Sequence, residues 1–235
     1  GFPMWNGQMW ENVGKMRATG WELSINWEDR KGDFDYGIGL NLSSVKNKAI
    51  KLLGSTPINA GNFNGDYIIR NDEGGEISRF YGYVADGIFQ NQTEVNAHTD
   101  EYGTVIQPNA QPGDIRFKDL NHDGKLDDND KTFIGNAFPD LMVGINARLA
   151  WKNIDFAANF YGTIGNDVYN TTKGRYSGVS GENVYAGTYN ASWHGEGTSY
   201  DLPRLSYNDA NQNWTRVSSF YVEDGSYLRC KQLQI

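Results

Sequence analysis

Four segments of this chain alternate apolar and polar residues with a period of two, over runs of about ten residues. In the first, Trp21, Leu23, Ile25 and Trp27 share one parity, against Glu22, Ser24, Asn26 and Glu28. Beyond a short turn at 29–33, Phe34, Tyr36, Ile38, Leu40 and Leu42 oppose Asp35, Gly37, Gly39, Asn41 and Ser43. The third sets Leu141, Val143, Ile145, Ala147, Leu149 and Trp151 against Met142, Gly144, Asn146, Arg148 and Ala150. Lys152-Asn153 then turns into the fourth, where Ile154, Phe156, Ala158 and Phe160 oppose Asp155, Ala157, Asn159 and Tyr161. Successive strand side chains point to opposite faces, so each segment predicts an antiparallel strand with one apolar and one polar face. A soluble sandwich alternates as well. Three details favour a transmembrane β-barrel instead. The runs exceed the usual five or six residues of a soluble strand. The polar parity carries Glu, Asp, Asn, Arg and Gly, which suits a wet lumen. Trp27, Phe34, Trp151 and Phe156 sit at strand ends beside the short turns, where an interfacial aromatic girdle belongs.

The connections are lopsided. Each strand pair is closed by a few residues, but long segments at 43–140 and 162–225 follow the second and fourth strands. Short turns on one side and long loops on the other are the outer-membrane arrangement, with the long loops outside the cell. Loops this long without structure are uncommon. Strand-like pieces at 81–90 and 218–222 therefore predict that they fold into a cap. In the last run, SYLRCKQLQI, Leu228 and Cys230 share one parity and Leu233 and Ile235 the other, which suggests a bulge or an unfinished strand. Five strands cannot close a barrel around a transport lumen, so residues 1–235 are expected to be a partial barrel, incomplete at both ends.

Composition removes several classes of function. The net charge of −8 argues against nucleic acid and against a basic membrane-surface patch. The single cysteine, Cys230, excludes an internal disulfide framework and a cysteine-based zinc site, and reads as an apolar wall residue. No apolar run approaches the ~18 residues of a transmembrane helix, and the opening GFPMWNGQMW lacks the basic start and apolar core of a signal peptide. A mean hydropathy of −0.64 looks soluble, yet barrel strands are only half apolar.

Residues 119–130 carry a different signal. Asp119, Asn121, Asp123, Asp127 and Asp130 occupy positions 1, 3, 5, 9 and 12 of a twelve-residue loop, with Gly124 at position 6. Hard oxygen donors at this spacing wrap a calcium ion in EF-hand loops, where position 7, here Lys125, offers its backbone carbonyl. Asp130 replaces the usual bidentate Glu, which shortens the reach. Ile115 and Phe117 alternate like a strand before the loop, so a structural staple is expected rather than a helix–loop–helix sensor. The same residues also suit a plain polar turn.

Five stretches, in series, resemble the SusC/RagA-like TonB-dependent outer-membrane transporters. They are NVGKMRATGWELSINW, YGYVADGIFQN, PGDIRFKDLNHDGKLDDNDKTFIGNAFPDLMVGIN, IDFAANFYGTIGNDVYN and LPRLSYNDANQNWTRVSSFYVEDGSYLRCKQLQI. The resemblance is to the C-terminal part of that family's barrel domain. It implies a bacterial (Gram-negative) outer-membrane location amid lipid, and energised import of oligosaccharides or peptides. It also implies a TonB complex engaged through an N-terminal part not in this sequence, and a SusD-like lipoprotein lid. Asp119, Asn121, Asp123 and Asp130 match the family's acidic loop, with Asp127 a water-mediated contact and the cation structural.

Glu22, Asn26, Asn41, Asn146, Arg148, Asn159 and Tyr161 are the lumen-facing candidates on this reading. Tyr185, Tyr189, Trp193, Tyr200, Tyr207 and Trp214 could stack on sugar rings or form the second loop's own core, and aromatic burial favours the core. His98, His122 and His194 are far apart in sequence and show no ligand spacing. No catalytic arrangement emerges, so an enzyme is not expected. The main alternative is a soluble, calcium-stabilised β-sandwich that binds carbohydrate.

Overall fold

The computed structural model describes residues 14–175, 181 and 183–235; the opening GFPMWNGQMW lies outside them. In chain order the strands are β1 (Gly14–Lys31), β2 (Phe34–Leu52), β3 (Ile58–Phe63), β4 (Asp66–Asn71), β5 (Arg79–Gly82), β6 (Ala85–Ile88), β7 (Ile115–Phe117), β8 (Thr132–Asn136), β9 (Leu141–Trp151), β10 (Ile154–Ile164), β11 (Asp167–Tyr169), β12 (Val222–Asp224) and β13 (Tyr227–Gln234). They separate into a membrane sheet and an outer body.

The sheet is five-stranded, in the order β1-β2-β9-β10-β13, with every pair antiparallel. β9 has the bounds expected from alternation, β10 runs three residues past Tyr161 to Ile164, and each is eleven residues long. A tilted strand needs about 9–11 residues to cross a bilayer. Two-residue turns close both hairpins, Gly32-Asp33 and Lys152-Asn153, each with its first residue in the left-handed region. The turn expected at 29–33 is tighter because Asp29, Arg30 and Lys31 still pair with Tyr36, Asp35 and Phe34.

Register decides which residues share a face. Directly opposed residues include Trp27, Ile38, Ala147, Ala158 and Leu233, and likewise Ile25, Leu40, Ile145, Phe160 and Cys230. The apolar parity of all five strands thus forms one continuous face. The parity change in β13 is resolved by a β-bulge at Asn159/Phe160, where Lys231 has no opposite number. One extra residue flips parity, and Leu233 rejoins the face of Leu228 and Cys230. This face has no protein cover: Trp21 and Trp27 are each 52% exposed, and Ile25 and Ile38 51%. A sandwich would bury it.

β1 and β2 run on well past the expected strand ends, to 18 and 19 residues. The strand does not stop at Ser43 because 44–52 still pair with 14–21, although alternation fades there. Where β9 ends, residues 73–76 take its place beside β2. Ala49 donates its amide to the Gly75 carbonyl at 2.9 Å and accepts from Gly74 at 2.7 Å, and Ala49 is buried. This seam joins the sheet to the outer body.

The outer body is built jointly by the two long connections. A four-stranded sheet, β3-β4-β5-β8, packs Phe63, Ile68 and Phe80 from the first connection against Val217 and Tyr221 from the second. Backbone bonds between Tyr83 and both Val217 (3.0 Å) and Ser219 (2.9 Å) cross between the connections. The pieces expected as strands at 81–90 and 218–222 are shorter and broken: β5 stops at Gly82, β6 starts at Ala85, and 219–221 form a 3-10 turn.

Candidate functional site

All seven lumen candidates lie on the polar face of the sheet. Register places Asn26, Gly39, Asn146, Asn159 and Gln232 in a single row across all five strands. The next row outward holds Ser24, Asn41, Gly144, Tyr161 and Arg229; the next inward holds Glu28, Gly37, Arg148, Ala157 and Gln234. Glu22, opposite Ser43, sits one row further out. Asn159 donates from Nδ2 to the Gln232 Oε1 at 2.9 Å, Ser24 donates to the Asn41 Oδ1 at 2.7 Å, and Arg148 pairs with Asp35 at 3.1 Å. Gly39 matters for a steric reason: a Cβ there would stand 2.6 Å from the Asn26 Oδ1 and 3.5 Å from the Asn146 Nδ2. Gly37 and Gly39 floor a groove of about 300 Å3, walled by Asn26, Asn146, Asn159, Glu28 and Arg148. Sequence reasoning missed Gln232, because the bulge hides its parity, and gave the two glycines no role.

The acidic loop is tied by its own backbone. Asp119 accepts from the His122 amide at 2.7 Å and the Gly124 amide at 2.8 Å. Fully buried Asp130 accepts from the amides of Leu120 at 2.8 Å and Asp127 at 2.9 Å. Asn121 donates to Asp123 at 3.0 Å, Asp123 accepts from the Lys125 amide at 3.0 Å, and Asp127 caps a short 3-10 turn. His122 (φ 59) and Gly124 (φ 79) make the sharp bend. The oxygen donors and the bend suit a calcium loop. Yet no three acidic or histidine side chains among the described residues converge on one point. The fit to calcium is therefore partial. At the end of the loop Lys131 sits between Asp66 (2.6 Å) and Asp128 (2.9 Å), and its hydrogen bond holds the Asp128 carboxyl below its usual range.

The loop aromatics divide. Trp214 is 1% exposed, so it belongs to the core and cannot stack on a ligand. Its ring packs edge-on against Phe220 at 5.5 Å. Trp193 is half-buried and donates to the Gln90 Oε1 at 3.2 Å. Tyr185, Tyr189, Tyr200 and Tyr207 are exposed. Beneath them, buried Asp114 takes Arg204 Nε at 2.6 Å and Asn213 Nδ2 at 2.8 Å, while the Asn213 Oδ1 accepts the Ile115 amide at 2.8 Å. This network pins 107–117 to 204–214, and only long-range pairing reveals it. His98 and His122, distant in sequence, line one open cavity with Asp86, Asp100 and Asp119. Burial holds the His98 imidazole below its ordinary pKa, and its Nε2 lies 3.1 Å from the Phe117 carbonyl.

A lipid-length sheet with an open apolar face, a polar opposite face and an ordered outer body defines part of an outer-membrane β-barrel. No family model matches the chain. It is 31% identical to TonB-dependent receptor P3 of Formosa agariphila over 95% of its length, and 31% identical to TonB-dependent receptor P26 of that organism over 98%. It is also 24% identical to TonB-dependent receptor SusC of Bacteroides thetaiotaomicron over 98%. The RagAB peptide transporter structure superposes with a TM-score of 0.68 at 20% identity, over 95% of this chain. Over nearly its whole length the chain is therefore similar to TonB-dependent receptors, SusC among them, and it has the fold of an outer-membrane barrel segment. It spans 21–23% of the length of the relatives it matches.

Proposed function

We infer that this chain supplies wall and outer cap to an importer that takes up oligosaccharides or peptides through the outer membrane, energised by TonB. The observation that carries this reading is the two-faced sheet: one side is apolar and uncovered, and a row of hydrogen-bonding side chains lines the other. Similarity to SusC and to the RagAB peptide transporter supports the same reading. A SusD-like surface lipoprotein is the proposed partner. The outer body suits such a lid because the described parts of its two connections already pack on each other, and preordered surfaces lose less entropy on docking. Calcium at Asp119–Asp130 is proposed as a structural ion. Asn121 and Asp123 would give up their mutual hydrogen bond to face it, together with the Lys125 carbonyl.

The test is uptake by cells carrying or lacking the full receptor. Labelled oligosaccharides and peptides should enter only with the receptor present and the TonB system intact. Entry independent of both would sink the proposal.

A further inference from the structure

The outer ends of β1 and β2 concentrate positive charge. A net charge of −8 argues against a basic surface patch only on average, and register gathers cations in one place. Lys15 stands opposite Lys51, Arg17 opposite Lys48 and Thr19 opposite Lys46. The bulge between Lys15 and Met16 leaves Ile50 without an opposite number and so brings Lys51 beside Lys15. Directly opposed residues share a face, and Lys15, Arg17 and Thr19 have the parity of Trp21. All five cations therefore lie on the apolar side of the hairpin and are exposed. The other side at this level carries Met16, Ala18, Gly20, Val45, Asn47 and Ala49, without a charge. We propose that the patch binds the phosphate groups of a phosphorylated glycolipid of the lipid A kind in the outer leaflet. This needs the outer-membrane location and the outward-facing connections, whatever the receptor carries.

Height puts the cations at the lipid surface. From Lys31, beside the inner turn, to Trp21 is ten residues, about 34 Å of strand at ~3.4 Å each. A tilt of roughly 40° reduces that to about 25 Å, the height of a barrel's apolar band. Trp21, 52% exposed, thus marks the outer edge of the band. The Thr19/Lys46 row stands about 5 Å above it and the Arg17/Lys48 row about 10 Å. The polar layer of a bilayer is about 5–8 Å deep on each side, and long basic side chains reach along it.

The charge is not balanced within the described chain. Among the described residues none of the five cations forms an ion pair. Glu73, Glu76 and Asp140 lie along the neighbouring seam, but three carboxylates leave five cations in excess. Glu73 also accepts the Leu52 amide at 3.2 Å, and Glu76 the Asn136 side-chain amide at 2.9 Å. Like charges directly opposed across strands destabilise a sheet, so the Lys15–Lys51 and Arg17–Lys48 pairs favour an anion between them. Arg17 can hold a phosphate through two N–H groups, with Lys46 and Lys48 as point charges. Trp21 and Leu23, directly below on the same face, meet acyl chains, which free phosphate lacks.

The experiment uses the full receptor, stripped of lipid in a neutral detergent, with bound lipid counted by native mass spectrometry. The probes are lipid A, lipid A with its phosphates removed and dioleoylphosphatidylglycerol, with inorganic phosphate as competitor. Lipid A should bind, and removing its phosphates should weaken binding roughly tenfold or more. Arg17→Gln, Lys46→Gln and Lys48→Gln together should do the same, whereas Lys46→Arg with Lys48→Arg should not. Arg30→Gln, Lys31→Gln and Lys152→Gln remove equal charge at the inner turns and should leave binding unchanged. Equal binding of the dephosphorylated lipid overturns the proposal, and decides it even if the outer triple variant fails to assemble. So does an unaffected outer variant, or an equal loss in the inner one. Displacement by inorganic phosphate at a similar concentration would make the patch a site for free anions, and phosphatidylglycerol bound as tightly as lipid A a general anionic surface; either result overturns it. Loss of a co-purifying lipoprotein from the outer variant, with lipid binding unchanged, would assign the cations to that protein instead.

Discussion

The sheet and the outer body handle apolar side chains in opposite ways. Trp21, Leu23, Ile25 and Trp27 stand open along β1, whereas Trp214, Val217 and Tyr221 are almost fully enclosed in the outer body. Polar groups invert likewise: Asn26, Asn41 and Asn146 lie on the open polar face, but Asp114, Asp130 and Asn213 are buried and hydrogen-bonded. The outer body is held by burial from water, like any soluble domain. The sheet buries few of its own side chains, Ala49, Leu52 and Ala158 among them, and relies on lipid to cover its large apolar groups and on pairing to satisfy its backbone. One chain is thus folded against two solvents, and the boundary runs through the seam at Ala49.

The largest effect should come from the water-driven side. Trp214→Ala leaves a cavity where both connections meet and removes the indole bond to the Arg204 carbonyl at 3.3 Å. Aromatic-to-alanine changes in cores cost about 3–5 kcal/mol. Hydrogen exchange should show the outer body opening while β9 and β10 stay protected. Equal loss of protection in both regions would mean that they fold as one unit.

A second change reverses the comparison. Ala147→Arg places a charge at mid-height on the apolar face and should cost about 2–4 kcal/mol in a bilayer. Ala157→Arg, on the polar face, should stay within about 0.5 kcal/mol. Unfolding of the full receptor in lipid vesicles measures both. Equal costs would show that the two faces do not meet different solvents.

How far these regions were legible in the sequence differs for the same reason. Alternation fixes a strand wherever one face must be apolar, so β9 was readable from Leu141 to Trp151 and β10 from Ile154 as far as Tyr161, three residues short of its end. It fades past Ser43, where β2 continues to Leu52 by pairing with β1 and with the seam at 73–76. In the outer body, Tyr83 meets Val217 and Asp114 meets Arg204 across long stretches of chain, and no local pattern encodes such contacts. The polar row was half legible. Asn26, Asn146 and Asn159 follow from parity, but Gln232 joins them only through the bulge at Lys231.

The acidic loop offers a finer probe of the outer body. If calcium binds there, a hundredfold excess over Kd should stabilise this region by about 2.7 kcal/mol, and Asp123→Ala should abolish the gain. Asp123 is the choice because its carboxylate bonds only to Asn121 and Lys125 within the loop, whereas Asp119 and Asp130 hold the fold. Protection of 115–133 against exchange, with calcium or chelator, reads the outcome. Protection indifferent to calcium would leave the backbone bonds as the loop's only staple.

The smallest effect should come from pH, and again in the outer body alone. Burial lowers the His98 pKa, while in the unfolded chain it returns to about 6.5. The unfolded form then binds more protons in the window between the two values, so stability falls as pH drops through that window and is unaffected above it. His98 packs edge-on against Phe89 at 5.6 Å and faces the Phe117 carbonyl, with Arg116 nearby disfavouring its charged form and Asp86 and Asp119 favouring it. Acidification below neutrality should therefore loosen 88–117 first, seen as faster amide exchange after correction for the intrinsic rate. His98→Gln keeps a donor for the carbonyl and removes the titration, so its exchange should lose this pH dependence. A pH response unchanged in that variant would assign the effect to the neighbouring carboxylates instead.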